Sequence, residues 1–122
     1  MHKSRLCQVV IDCEGGDLAE AGKFWAAALG RPIEKYDGPY AELVDRPGQP
    51  LVAVQRVAHA SRVHLDIESD DIEAEVARLE KLGAKRVEKI RTWWVMEAPT
   101  GQRFCVVRPQ RGTLADDANV WE

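Results

Sequence analysis

Nine side chains of this sequence have types and positions suited to a small-molecule site: Gln8, Asp12, Tyr40, His64, Asp66, Glu68, Trp93, Trp94 and Cys105. His64 carries an imidazole, a group that can pass a proton, make hydrogen bonds or ligate a metal. Asp12, Asp66 and Glu68 supply carboxylates along the same stretches of chain, which serve either a site or a solvated face. Gln8 is a neutral amide, a poor ligand for most divalent ions but able to orient a carbonyl or a water. Cys105 behaves as a small apolar residue unless its surroundings lower its pKa, and nothing close to it in sequence does so. Tyr40, Trp93 and Trp94 could wall a flat or apolar ligand, or simply pack.

Strands must carry most of these groups. In "CQVVIDC" (7–13), alternation puts Cys7, Val9, Ile11 and Cys13 on one face, read as core, and Gln8, Val10 and Asp12 on the other. In "VHLDI", Val63, Leu65 and Ile67 take the core side, and His64, Asp66 and Glu68 the opposite one. In "RFCVV", Phe104 and Val106 point toward packing, leaving Arg103, Cys105 and Val107 on the cleft side. The adjacent tryptophans of "TWWVM" must point opposite ways if that stretch is a strand.

The chain repeats itself. A shift of 53 places Asp17 on Asp70, Glu20 on Glu73, Gly30 on Gly83 and Gly48-Gln49 on Gly101-Gln102, and sets Tyr40 against Trp93. Upstream the shift becomes 56, and the loop "EGG" (14–16) absorbs the difference. Each repeat predicts a strand, a helix and three shorter strands. Asp17 with Glu20, and Asp70 with Glu73, have capping-box spacing, while Gly30 and Gly83 suit helix ends. Apolar stripes follow on Leu18, Ala21, Trp25, Ala28 and Leu29, and on Ile72, Val76, Leu79 and Leu82. The expectation is an α+β fold of two βαβββ modules, about 5–57 and 62–108, within one domain over 1–108. The polar tail 109–122 is expected to fray, with Trp121 as its one candidate anchor. Two units cannot form a solenoid, so they pair, with helices outside and a concave cleft opposite.

The totals narrow the partners. At 122 residues with a net charge of −3 and scattered basic residues, the chain lacks the positive stripe that nucleic-acid binding requires. No apolar stretch reaches the length of a membrane span or of a signal-peptide core, so a cytoplasmic address and no membrane partner are expected. Three cysteines without CxxC spacing read as reduced thiols.

The order of "VVIDC", "FWAAALG", "RVHLDIESDDIEAEVARLEKLGA" and the closing "WVMEAPTGQRFCVV" resembles the glyoxalase-like branch of the vicinal oxygen chelate superfamily, which includes glyoxalases, bleomycin-resistance proteins and extradiol dioxygenases. The resemblance covers roughly residues 5–108. It implies paired βαβββ modules in a cup-shaped mixed sheet, commonly a homodimer, and metal-ligand positions at Gln8, Val52, His64 and Cys105. Val52 cannot coordinate a metal, Cys105 stands where metal-dependent relatives keep a carboxylate, and "APTG" departs from the usual acidic D-P-x-G turn. These departures favour a protein that binds a small organic ligand in the cup without metal. The alternative is a lyase, isomerase or dioxygenase with a divalent metal held by His64 and Gln8; a third is a dimerisation module.

Overall fold

Alternating and capped segments resolve, in the computed structural model, into β1 (His2–Glu14), α1 (Leu18–Leu29), β2 (Ile33–Asp37), β3 (Tyr40–Leu43), β4 (Leu51–Val57), β5 (Arg62–Ser69), α2 (Ile72–Lys81), β6 (Lys85–Ile90), β7 (Trp93–Glu97), β8 (Arg103–Val107) and β9 (Asn119–Trp121). The structure describes residues 1–114 and 117–122. Among the described residues, nine strands in parallel and antiparallel pairings and two helices make this an α+β fold, with both repeats running strand, helix, three strands. The chain divides into two compact units, Gln8–His64 and Met1–Cys7 with Leu65–Glu122, so β1 and β5 each give one part to either unit.

In the unit Gln8–His64, β2, β3 and β4 pair antiparallel in that order, and β4 runs parallel to β1. The Asp17 carboxylate accepts the Ala19 N–H at 2.9 Å to start α1, and Gly30 ends it at φ 68°. The helix packs against β2, β3 and β4 through its smallest residue. A Cβ on Gly22 would lie 3.2 Å from Ala41 Cβ and 3.3 Å from Ile33 Cδ1, so only glycine permits this approach without displacement. The expected stripe is thereby corrected: Gly22 is the buried residue of α1, and Leu29 and Phe24 are exposed. Val10, Ile11, Ala41, Leu43, Ala53 and Val54 are the buried apolar residues described in this unit.

In the other unit, β5 pairs parallel with β8, followed by antiparallel β7 and β6. Val76 and Leu79 of α2 bury against Met96 and Val106, flanked by Ile67, Trp94 and Phe104. The N-cap of α2 is Asp71, which accepts the Ala74 N–H at 3.1 Å; the expected cap, Asp70, instead accepts the Lys3 N–H at 2.8 Å. The helix α2 packs on β6, β7 and β8. Val63 and Leu65, expected in the core, are 57% and 46% exposed. On β1 both faces are covered: Val10 and Asp12 are buried as fully as Cys7 and Ile11, so one-sided burial did not hold there.

The last residues of the tail are paired rather than loose. β9 pairs antiparallel with the start of β1, Trp121 opposite His2; the Trp121 Nε1–H donates to Ser4 Oγ at 2.9 Å, and the Arg78 guanidinium lies 3.8 Å over the Trp121 ring. The three cysteines are unbridged. Among the described residues no helix is long and apolar enough to cross a membrane.

Candidate functional site

Register assembles a polar row in the unit Gln8–His64. Tyr40 pairs with Gln55 across β3 and β4, and Gln55 pairs with Asp12 across β4 and β1. Paired residues share a face of a sheet. The neighbouring row, Ala41, Val54 and Ile11, lies under α1, so Tyr40, Gln55 and Asp12 look out from the opposite face.

Asp12 is the centre of this row. Its side chain is buried, and Oδ2 accepts from His64 Nδ1 at 2.8 Å. His59 Nε2 and Arg62 Nε each stand 3.8 Å from the same oxygen. Oδ1 is buried with no hydrogen-bond donor among the described residues. The carboxylate therefore keeps unused accepting capacity, which favours basic groups at its rim. Bonding to Asp12 places the His64 proton on Nδ1 and makes Nε2 the basic nitrogen, the arrangement that fixes a general base or a metal-binding imidazole. Burial and the Asp12 charge together push the adjacent Cys13 thiol up.

Two other expected residues meet in the second unit. Asp66 is the register partner of Cys105, and a carboxylate oxygen of one lies within 4.8 Å of the sulfur of the other. His64 precedes Asp66 by two residues on β5, so both project from one face of that strand.

The rest of the expected set divides. Glu68 is buried in an ion pair with Arg5 at 2.7 Å and accepts the Gln110 N–H at 2.8 Å, so it holds the segment after β8 rather than facing a ligand. Trp94 packs on the α2 core, donates Nε1–H to Glu73 at 2.9 Å and carries Arg86 over its ring. Those contacts hold the Glu73 carboxyl below its ordinary range, with the Trp94 bond the largest cause. Trp93 points the other way and is half-buried, as is Gln8, which pairs with Leu51.

Register also revises the repeat. A shift of 53 carries the pair Trp94–Val106 onto Ala41–Ala53, but Ala41 pairs with Val54. β4 has slipped by one residue. Val52 consequently shares the helix-side face with Val54, and the first-module counterpart of Asp66–Cys105 is Val10–Ala53, paired, buried and without a donor atom. Sequence reasoning missed Gln55, His59 and Arg62. Gln55 enters only through the parallel β1–β4 register, and "HASR" (59–62) reads as an ordinary polar loop until Asp12 is seen beneath it.

Similar folds occur in proteins of diverse chemistry. A glyoxalase/bleomycin resistance protein/dioxygenase superfamily member from Vibrio splendidus 12B01 superposes with a TM-score of 0.50 at 19% identity, over 84% of this chain and 99% of that one. Methylmalonyl-CoA epimerase from Mycobacterium tuberculosis gives 0.58 at 18% identity, covering 85% and 87%. The Mn(II)-bound glyoxalase from Novosphingobium aromaticivorans gives 0.59 at 18%, covering 93% of this chain but 44% of that one. At these identities the likeness is one of fold. No curated protein matches by sequence. The sequence itself matches the glyoxalase-like domain family over residues 8–107, through both repeats and every strand that carries the polar row, and the chain belongs to that family.

Proposed function

We propose that the protein binds a small oxygen-bearing organic molecule at the polar row, with His64 exchanging a hydrogen bond or proton with a ligand oxygen. The observation that carries this is the 2.8 Å bond from His64 Nδ1 to buried Asp12. A carboxylate held out of water strengthens that bond and orients the ring before any ligand arrives, which lowers the ordering cost of binding. Gln55 and Tyr40, in the same row, are placed to take further polar contacts. The test is a thermal-shift and NMR screen of small hydroxy, oxo and carboxylic compounds. Compounds that bind should shift the His64 ring resonances, and both His64→Gln and Asp12→Asn should weaken binding about tenfold or more, the size of one charge-assisted hydrogen bond. Binding that is unchanged in both variants removes the pair from the site.

A second reading has one observation in its favour, the Asp66–Cys105 approach. A metal taken up there would find His64 Nε2 as the next same-face donor along β5, with Asp12 supporting the ring from behind. Such an ion would act as a Lewis acid on a ligand oxygen. Imidazole, carboxylate and thiolate together suit zinc or iron better than a hard ion, and Val10 and Ala53 add nothing from the first module. Gln8 would be a weak further donor. Near-stoichiometric metal in protein purified without chelator, lost in His64→Ala, would replace the metal-free reading.

The exposed apolar side chains of Val63 and Leu65 support a homodimer. Light scattering at about the mass of one 13.7 kDa chain would remove that part of the reading.

A further inference from the structure

We propose that Arg62, with His59 beside it, is the anchor for a carboxylate of the ligand, so that the molecule bound over the Asp12–His64 pair is a small organic acid. This rests on the reading of that pair as the binding site. Arg62 begins β5, and its only charged partner among the described residues is Asp12, at 3.8 Å, too far for a hydrogen bond. The side chain is 46% exposed, so the fork of guanidinium N–H groups remains directed to solvent or to a ligand. His59 is similarly open at 42%, and its Nδ1 bonds the Ala60 carbonyl oxygen at 2.8 Å, which sets the ring with Nε2 toward Asp12.

The segment bearing both residues is fixed in place. Glu14 N–H donates to Ser61 Oγ at 2.9 Å and Gly15 N–H to the Val57 carbonyl at 3.0 Å, pinning the β4–β5 connection to the end of β1. Arg62, His59 and His64 share the Asp12 carboxylate, which is buried beneath them. The Arg62 charge stands at the rim over buried Asp12 and offsets it, so a second anion there meets the guanidinium rather than the carboxylate.

Geometry then favours a carboxylate. A guanidinium pairs with the planar carboxylate in two parallel hydrogen bonds, whereas a phosphate dianion would bring more charge against Asp12 than a single arginine offsets. Arg62 and His64 lie on one face of β5, two residues and roughly 7 Å apart along the strand. A carboxylate on Arg62 thus puts the neighbouring atom of the ligand within reach of His64 Nε2. Arg62 fixes which molecules dock, and His64 acts on the oxygen next to the anchored group.

Acetate, lactate, pyruvate and benzoate, their amides as neutral controls, and inorganic phosphate test this by NMR titration of wild type, Arg62→Gln and Arg62→Lys. The expected result is that at least one acid binds with an affinity that falls as salt rises, that its amide does not bind, and that Arg62→Gln weakens the acid about 10–100-fold while Arg62→Lys weakens it less. Equal binding of acid and amide, indifferent to Arg62→Gln, overturns the anchor but leaves the Asp12–His64 site standing. Phosphate binding tighter than every acid, and lost in Arg62→Gln, overturns the assignment to organic acids. Absence of binding by acids and amides alike overturns both readings.

Discussion

Burial acts in opposite ways on the reactive side chains of this protein. Around Asp12 it leaves a carboxylate with one close partner, His64, and two more distant basic neighbours, Arg62 and His59, a centre that organises other groups. Around Cys7 it silences chemistry. The Cys7 thiol is buried and pushed up to about 12, first by desolvation and then by the charges of Glu68 and Asp66, which outweigh Arg111 and Arg5. Since the thiolate is the nucleophile, almost none exists at neutral pH. Cys7 should react with iodoacetamide far more slowly in the native protein than after unfolding in guanidinium, as judged by peptide mass spectrometry. Native-state labelling at the rate of a free thiol would show that burial and the acidic neighbours do not control it.

At the scale of elements, β9 carries the clearest consequence. Its pairing with β1, the Trp121 hydrogen bond to Ser4 and the stacking of Arg78 on the indole together tie the last residues to β1 and α2. Trp121→Ala should lower stability by about 2 kcal/mol, combining a hydrogen bond and a cation–π contact at about 1 kcal/mol each. A shift in the urea midpoint equivalent to less than about 0.5 kcal/mol, the usual range for a surface site, would mean that the tail contributes nothing. The strands and helices were legible because their cues are local: alternation in "CQVVIDC", the Asp17 cap, the Gly30 stop. β9 was not, because "NVW" is short and polar on both sides, and its partner lies at the other end of the chain. The one-residue slip of β4 was hidden for the same reason, since an ungapped repeat in sequence does not fix hydrogen-bond register. His64 and Asp12 could each be picked out from alternation, but their bond, and the placement of Arg62 and His59 on the same oxygen, come from residues about 50 positions apart meeting in space, which alternation does not encode.

For the whole molecule, the response to acid follows from Glu75. This glutamate is fully buried in α2, accepting from His2 Nε2 at 2.8 Å and from Arg78 Nε and Nη2, each at 2.8 Å. Burial alone would raise its carboxyl, yet the bonds from Arg78, His2 and Ser4 outweigh that and hold it below its ordinary value. His2 and Ser4 belong to β1, and Arg78 also carries Trp121, so one carboxylate joins the first strand, the second helix and the last strand. A folded-state pKa below the unfolded one contributes stability that is complete above the unfolded value of 4.5 and is lost as pH falls through the folded value. Glu75→Gln keeps the shape but removes the charge, leaving Arg78 and His2 with a weaker acceptor. It should cost about 2–4 kcal/mol at neutral pH. Melting curves from pH 7 down to pH 3 should show the wild type losing this advantage below about pH 4.5 while the variant declines less, so that the two approach one another. A gap that stays constant across that range would show that the Glu75 charge is not what the acid transition titrates.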